Sequence, residues 1–235
     1  MLQKQSGYHT LLIFIVAACA LWLVTHLLIP FCSGMTNTEP ILWWFLLGGS
    51  GVFLPLLLCG FWLLRREGFQ WSRITWTERL RFRRMTAKDW AWGLGGILLI
   101  GLANTLILAM FHALGVTFDP TPPFMRFEPL TPGRYWLLAV WLPYWLLNIF
   151  GEEIVWRGVI FPRQETAFGR YAWLVQAVGW SIFHIAFGWQ LFVSLLPILC
   201  ILPYTVQRQK NSWIGVLIHA GLNGPAFLAI AFGLL

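Results

Sequence analysis

Residues 148–163 read Asn-Ile-Phe-Gly-Glu-Glu-Ile-Val-Trp-Arg-Gly-Val-Ile-Phe-Pro-Arg, late in an otherwise apolar run. Charged side chains in hydrocarbon cost about 2.5–3.5 kcal/mol each on insertion scales. A segment that only had to cross a membrane would carry Leu at these positions. Side chains four apart share a helix face, so Glu153 is placed to pair with Arg157. Glu152 is turned about 100° from Glu153 and lacks the same partner. One carboxylate is thereby neutralised by structure and its neighbour is left for chemistry.

The rest of the chain fits that membrane setting. Of 235 residues, 58% are hydrophobic and 11% charged, against about 25% charged in soluble domains. The expected fold class is all-α, a polytopic membrane bundle of about seven transmembrane helices. The sixteen Trp and nineteen Phe suit interfacial belts and helix packing. The net charge of +7 lies in loops beside the spans, where it sets topology, so nucleic acid is excluded as a partner. Cys19, Cys32, Cys59 and Cys200 form no Cys-x-x-Cys pair and read as packing residues. The first apolar run reads as a span rather than a cleavable signal.

Spans are expected at Thr10–Pro30, Ile41–Leu64, Trp90–Leu114, Tyr135–Phe161, Tyr171–Phe187, Gln190–Val206 and Trp213–Leu235. The loop 65–89 carries eight Lys and Arg and marks the cytoplasmic side. Its aromatic and basic interleaving over 69–85 allows an amphipathic helix on anionic lipid, with a topology anchor as the plainer alternative. The Pro-rich loop 115–134 is read as an external connector that could also cover a site mouth. Pro162–Arg170 is a short cytoplasmic connection. The topology follows as N-terminus in and C-terminus out, in the cytoplasmic (inner) membrane of a bacterium. Residues 1–134 are expected to form an N-terminal helical part, with the basic cytoplasmic loop 65–89, and 135–235 a membrane core that holds the carboxylates.

Few other polar groups lie within the spans. His184 sits on the fifth, and His219 and Asn223 lie on one face of the seventh. Counted from the cytoplasmic span ends, Glu152, His184, His219 and Asn223 lie about 14, 20, 9 and 15 Å deep. Four polar groups from three spans thus share one layer. Such a set suits water activation beside a carbonyl, with Glu152 as general base. His184 would hold the water, and His219 with Asn223 would stabilise an oxyanion. No Ser or Cys is paired with a base, and no His-Glu-x-x-His is present.

Glu152-Glu153-x-x-x-Arg157, Trp180-x-x-x-His184 and His219-x-x-x-Asn223 resemble the three motifs of the CPBP (Abi) intramembrane proteases, the family that includes the CAAX prenyl endopeptidases. The resemblance runs from about Tyr135 to Asn223. It implies that Glu152 activates water, Glu153 and Arg157 form a supporting ion pair, His184 positions the water, and His219 and Asn223 form the oxyanion hole. Trp180 stands where family members usually have Phe, which reshapes the cavity. Two Glu and two His can bind Zn²⁺, so zinc stays open, but with Glu153 committed to Arg157 no metal or other cofactor is favoured. The expected partners are membrane lipid and a peptide or protein substrate of CAAX, leader-peptide or sorting-signal type. The alternatives are a non-catalytic binding or immunity protein of the same fold and a small proton-coupled transporter.

Overall fold

The computed structural model describes residues 4–234. Among them there is no β-strand, and six helical runs are long and apolar enough to cross a membrane. They are α1 (His9–Thr36), α2 (Pro40–Arg66), α3 (Ala87–Ala113), a 52-residue run Trp136–Phe187, α6 (Trp189–Gln209) and α7 (Ser212–Ala231). Six such apolar helices indicate an integral membrane protein.

A straight helix of 52 residues would be about 78 Å long, far beyond a hydrocarbon core of about 30 Å. The run instead doubles back at Gly169, whose φ of +56° ends the first arm, α4 (136–168). The second arm, α5 (Ala172–His184), returns alongside it, so that Trp180 meets Glu152 28 positions earlier. This makes seven membrane arms from six runs. The helix also passes straight through Pro162, and the expected connection 162–170 shrinks to Gly169–Tyr171.

Proline inside a helix has no N–H to offer the carbonyls one turn back. Arg79, far away in sequence, supplies donors there. Its Nη1 donates to Gly158 O at 2.7 Å and its Nη2 to Val159 O at 3.0 Å. Glu67 holds that guanidinium through Nε at 2.9 Å and also takes Arg163 at 2.6 Å. Burial pulls the Arg79 guanidinium below its ordinary pKa, and the Glu67 carboxylate opposes that shift.

These contacts take the place of the amphipathic helix that the 69–85 pattern allows. Only 73–79 is helical, with the wide turn at Thr75–Arg79, and Leu80 is fully buried in the core instead of facing lipid. Arg81 and Lys210 converge on Glu165, at 2.7 and 2.6 Å. The basic loop is therefore latched to the hairpin. Arg79→Ala is expected to lower stability by about 3 kcal/mol, because it leaves two buried carbonyls without donors and Glu67 with Arg163 as its remaining partner. Thermal unfolding of the purified protein in detergent checks this.

Helix α1 packs against both hairpin arms: Phe14 stacks on Trp156 with ring centroids 4.4 Å apart and presses on Gly179. Helix α3 lies outermost, with Leu94, Leu98, Leu102 and Leu106 exposed along one stripe for lipid. Its inner side uses Gly93 and Gly96 to approach Leu217 and Ile218 of α7 closely. Thr86 and Asp89 cap its start reciprocally.

The loop 115–134 does more than connect. Phe124 is buried 5.1 Å from Trp44 and 6.0 Å from Phe187, between α2 and the far end of α5. The Thr121 N–H and Arg126 hold the Asp119 carboxyl below its usual pKa and shape the turn that delivers Phe124.

Candidate active site

The two carboxylates sit where α4 widens into a π-helical segment, Glu153–Ile160. Such wide turns cost hydrogen-bond geometry and recur at functional positions. Both side chains are shut away from the surface, with Glu152 at 1% and Glu153 at 0% exposure.

Their partners differ in kind. Among the described residues Glu152 is bonded only by neutral donors: Asn148 Nδ2 donates to its Oε1 at 2.9 Å, while Trp156 Nε1 and Trp180 Nε1 donate to its Oε2 at 3.0 and 2.6 Å. Glu153 faces the cationic side. Arg157 Nη1 donates to its Oε1 at 3.0 Å, and His219 Nδ1 meets the same oxygen at 3.0 Å. Glu153 and Arg157 thus form the ion pair that their spacing suggests, fully buried.

Trp180 touches Glu152, Arg157, His184 and His219. Its indole N–H reaches Glu152, and its ring carries the Arg157 guanidinium at 3.7 Å. Its carbonyl oxygen lies 2.7 Å from His184 Nδ1, and its ring meets the His219 ring in a T-shaped contact with 5.6 Å between centroids. The carbonyl can only accept, so His184 Nδ1 carries the proton and Nε2 is left as an acceptor. The Trp180 ring does fill space, but the indole N–H adds a hydrogen bond to Glu152 that a phenyl could not make.

Asn223 is placed differently from the others. It lies one turn beyond His219 on α7, is half-buried, and its amide makes no hydrogen bond to a described residue. The structure brings Glu152, Glu153, Arg157, Trp180, His184 and His219 into one cluster and leaves Asn223 at its edge.

Three contributors went unrecognised in the sequence. Asn148 and Trp156 stand four residues before and after Glu152, a spacing that puts all three on one face and could have been read. Gly215 could not have been. A Cβ at Gly215 would lie 2.2 Å from Glu153 Oε2, so the carboxylate occupies the room that this glycine leaves. Gly215→Ala is expected to destabilise by about 1–3 kcal/mol and to pull Glu153 off His219. Unfolding temperature and membrane abundance measure the first effect.

Zinc finds no ligand set here. Among the described residues no three His, Cys, Asp or Glu side chains come close enough to hold a metal ion. The bonded carboxylate oxygens face N–H groups instead, and the four cysteines are free and scattered.

Residues 134–224 match the family model described as type II CAAX prenyl endopeptidase Rce1-like. That segment contains all three motifs and bears out the resemblance to the CPBP proteases. The match supports a membrane endopeptidase in general. No curated protein and no solved structure matches the chain.

Proposed function

We propose that the chain hydrolyses a peptide bond of a membrane-associated substrate through water activated by Glu152. The observation that carries this reading is the division between the adjacent carboxylates. Glu153 is engaged by Arg157 and His219, whereas Glu152 is oriented by neutral N–H groups alone. A carboxylate held this way keeps its rotamer and one lone pair on Oε1 without surrendering its charge to a cation.

In the reaction, Glu152 takes a proton from water as the hydroxide oxygen bonds to the scissile carbonyl carbon. His184 Nε2 accepts the second water proton in a hydrogen bond and aims the nucleophile. The carbonyl oxygen becomes an oxyanion between His219 and Asn223, whose free amide lies at the edge of the cluster. Glu153 fixes the His219 ring through Nδ1, which directs Nε2 inward; a proton there makes it an oxyanion donor. The C–N bond then breaks as the proton on Glu152 passes to the leaving amine. No step runs through a metal.

The basic end of the bundle, where Glu67, Arg79, Arg81, Arg163, Glu165 and Lys210 meet, is assigned to the cytoplasm. This corresponds to N-terminus in and C-terminus out, in a bacterial inner membrane. Substrates of CAAX, leader-peptide or sorting-signal type fit a site reached from that leaflet.

The test compares peptide termini in cells expressing the wild type or Glu152→Gln at matched membrane levels. Termini that appear only with the wild type establish the protease and identify its substrate. Identical termini, in cells that express a peptide cleaved by the wild type in vitro, would overturn the Glu152 assignment. Absence of cleavage by either protein would favour a binding or immunity role.

A further inference from the structure

Hydrolysis inside an apolar bundle consumes water, and the hairpin arms carry buried polar groups that the reaction leaves unused. Gln164 on α4 and Gln176 on α5 are both at 0% exposure. The side-chain N and O atoms of both lack a hydrogen-bond partner among the described residues. The same is true of Arg157 Nε, Arg157 Nη2 and Glu153 Oε2. Together with Trp145 Nε1 and Asn148 Oδ1, also on α4, these seven put nine of the eleven such atoms among the described residues in the one hairpin.

Their positions follow helical spacing. Gln164 lies seven residues beyond Arg157, and Gln176 lies four before Trp180. Each therefore sits near the face of its arm that Arg157 or Trp180 occupies, about 10 and 6 Å nearer the Gly169 turn. Gln164 is five residues before Gly169 and Gln176 five after Tyr171, so the antiparallel arms hold them at one level. That level lies between the cluster and the basic end, where Gln207 Nε2 donates to Gly169 O at an exposed position.

Buried amides are satisfied by protein or by ordered water. Leaving seven polar atoms dry would cost as much as the stability of a whole domain. We propose that the Gln164–Gln176 layer is a water-binding site within the hairpin, feeding water from the basic end to the carboxylate pair. Only the destination of that water rests on the Glu152 reading; the hydrated layer does not.

Cysteine labelling tests the layer without any need for activity. In a background with Cys19, Cys32, Cys59 and Cys200 replaced by Ser, single Gln164→Cys and Gln176→Cys variants are treated with a small charged methanethiosulfonate. Leu202→Cys, at 0% exposure in the apolar core, is the dry control. Both layer positions are expected to react much faster than Leu202→Cys. Reaction as slow as the control would overturn the water site.

A second measurement tests the feed. Gln164→Leu/Gln176→Leu is expected to lower kcat by about tenfold or more with KM unchanged. Its unfolding temperature should hold or rise, since buried amides have been replaced by hydrocarbon. Unchanged turnover would overturn the feed, and labelling decides alone if the double variant does not fold. Fast labelling together with normal cleavage by Glu152→Gln would keep the water site and remove only the Glu152 reading.

Discussion

Arg157→Ala is expected to empty the membrane fraction of most folded protein. The guanidinium is at 0% exposure, 3.0 Å from Glu153 Oε1 and 3.7 Å above the Trp180 ring. Deleting it leaves a buried carboxylate with His219 as its remaining charged-capable partner and opens a gap against Trp180. Breaking a buried pair in this way costs about 3–5 kcal/mol, a large part of a total stability of about 5–15 kcal/mol.

The paired variant Glu153→Gln/Arg157→Met separates fold from chemistry. Both charges leave together, the Gln oxygen still receives His219, and the Met thioether packs on Trp180. Abundance is therefore expected to return close to wild type, as read by quantitative immunoblot and thermal unfolding. Wild-type levels of Arg157→Ala would show that the ion pair does not stabilise the fold.

The second large effect concerns turnover. Glu152→Gln is expected to lower peptide hydrolysis by about 10²–10⁴-fold while the protein still folds and inserts, because an amide cannot take the proton from water. The local structure tolerates the exchange. The Gln oxygen keeps the Trp156 and Trp180 donors, and its NH₂ then faces Asn148. Asn148 Oδ1, unpartnered in the wild type, can accept that NH₂ once the Asn148 amide turns over. Purified variant and wild type, assayed on a peptide that the wild type cleaves, provide the measurement. Rates within twofold of each other would remove Glu152 as the base, since general-base loss acts over about two decades or more.

The membrane bundle was legible because apolar length and the scarcity of charge follow from composition alone. The Glu153–Arg157 pair was equally legible, since four-residue spacing decides who can meet within one helix. The layer shared by Glu152, His184 and His219 also followed from counting depth along the spans, and the cluster places them together. Local spacing even held an unread signal, the Asn148 and Trp156 donors on either side of Glu152.

What depended on tertiary structure is every contact between residues far apart in the chain. The fate of the basic loop is one case: its composition fits a lipid-bound helix, but Arg79 finds the carbonyls that Pro162 leaves open and draws the loop onto the hairpin. The fit of the Glu153 carboxylate against Gly215 is another, because a missing Cβ has meaning only when a neighbour fills its space. Sequence by itself determined that this chain spans a membrane in helices and which carboxylate has a cation within reach. Only packing decided which donors orient the other carboxylate, because those bonds come partly from an arm that must first fold back at Gly169.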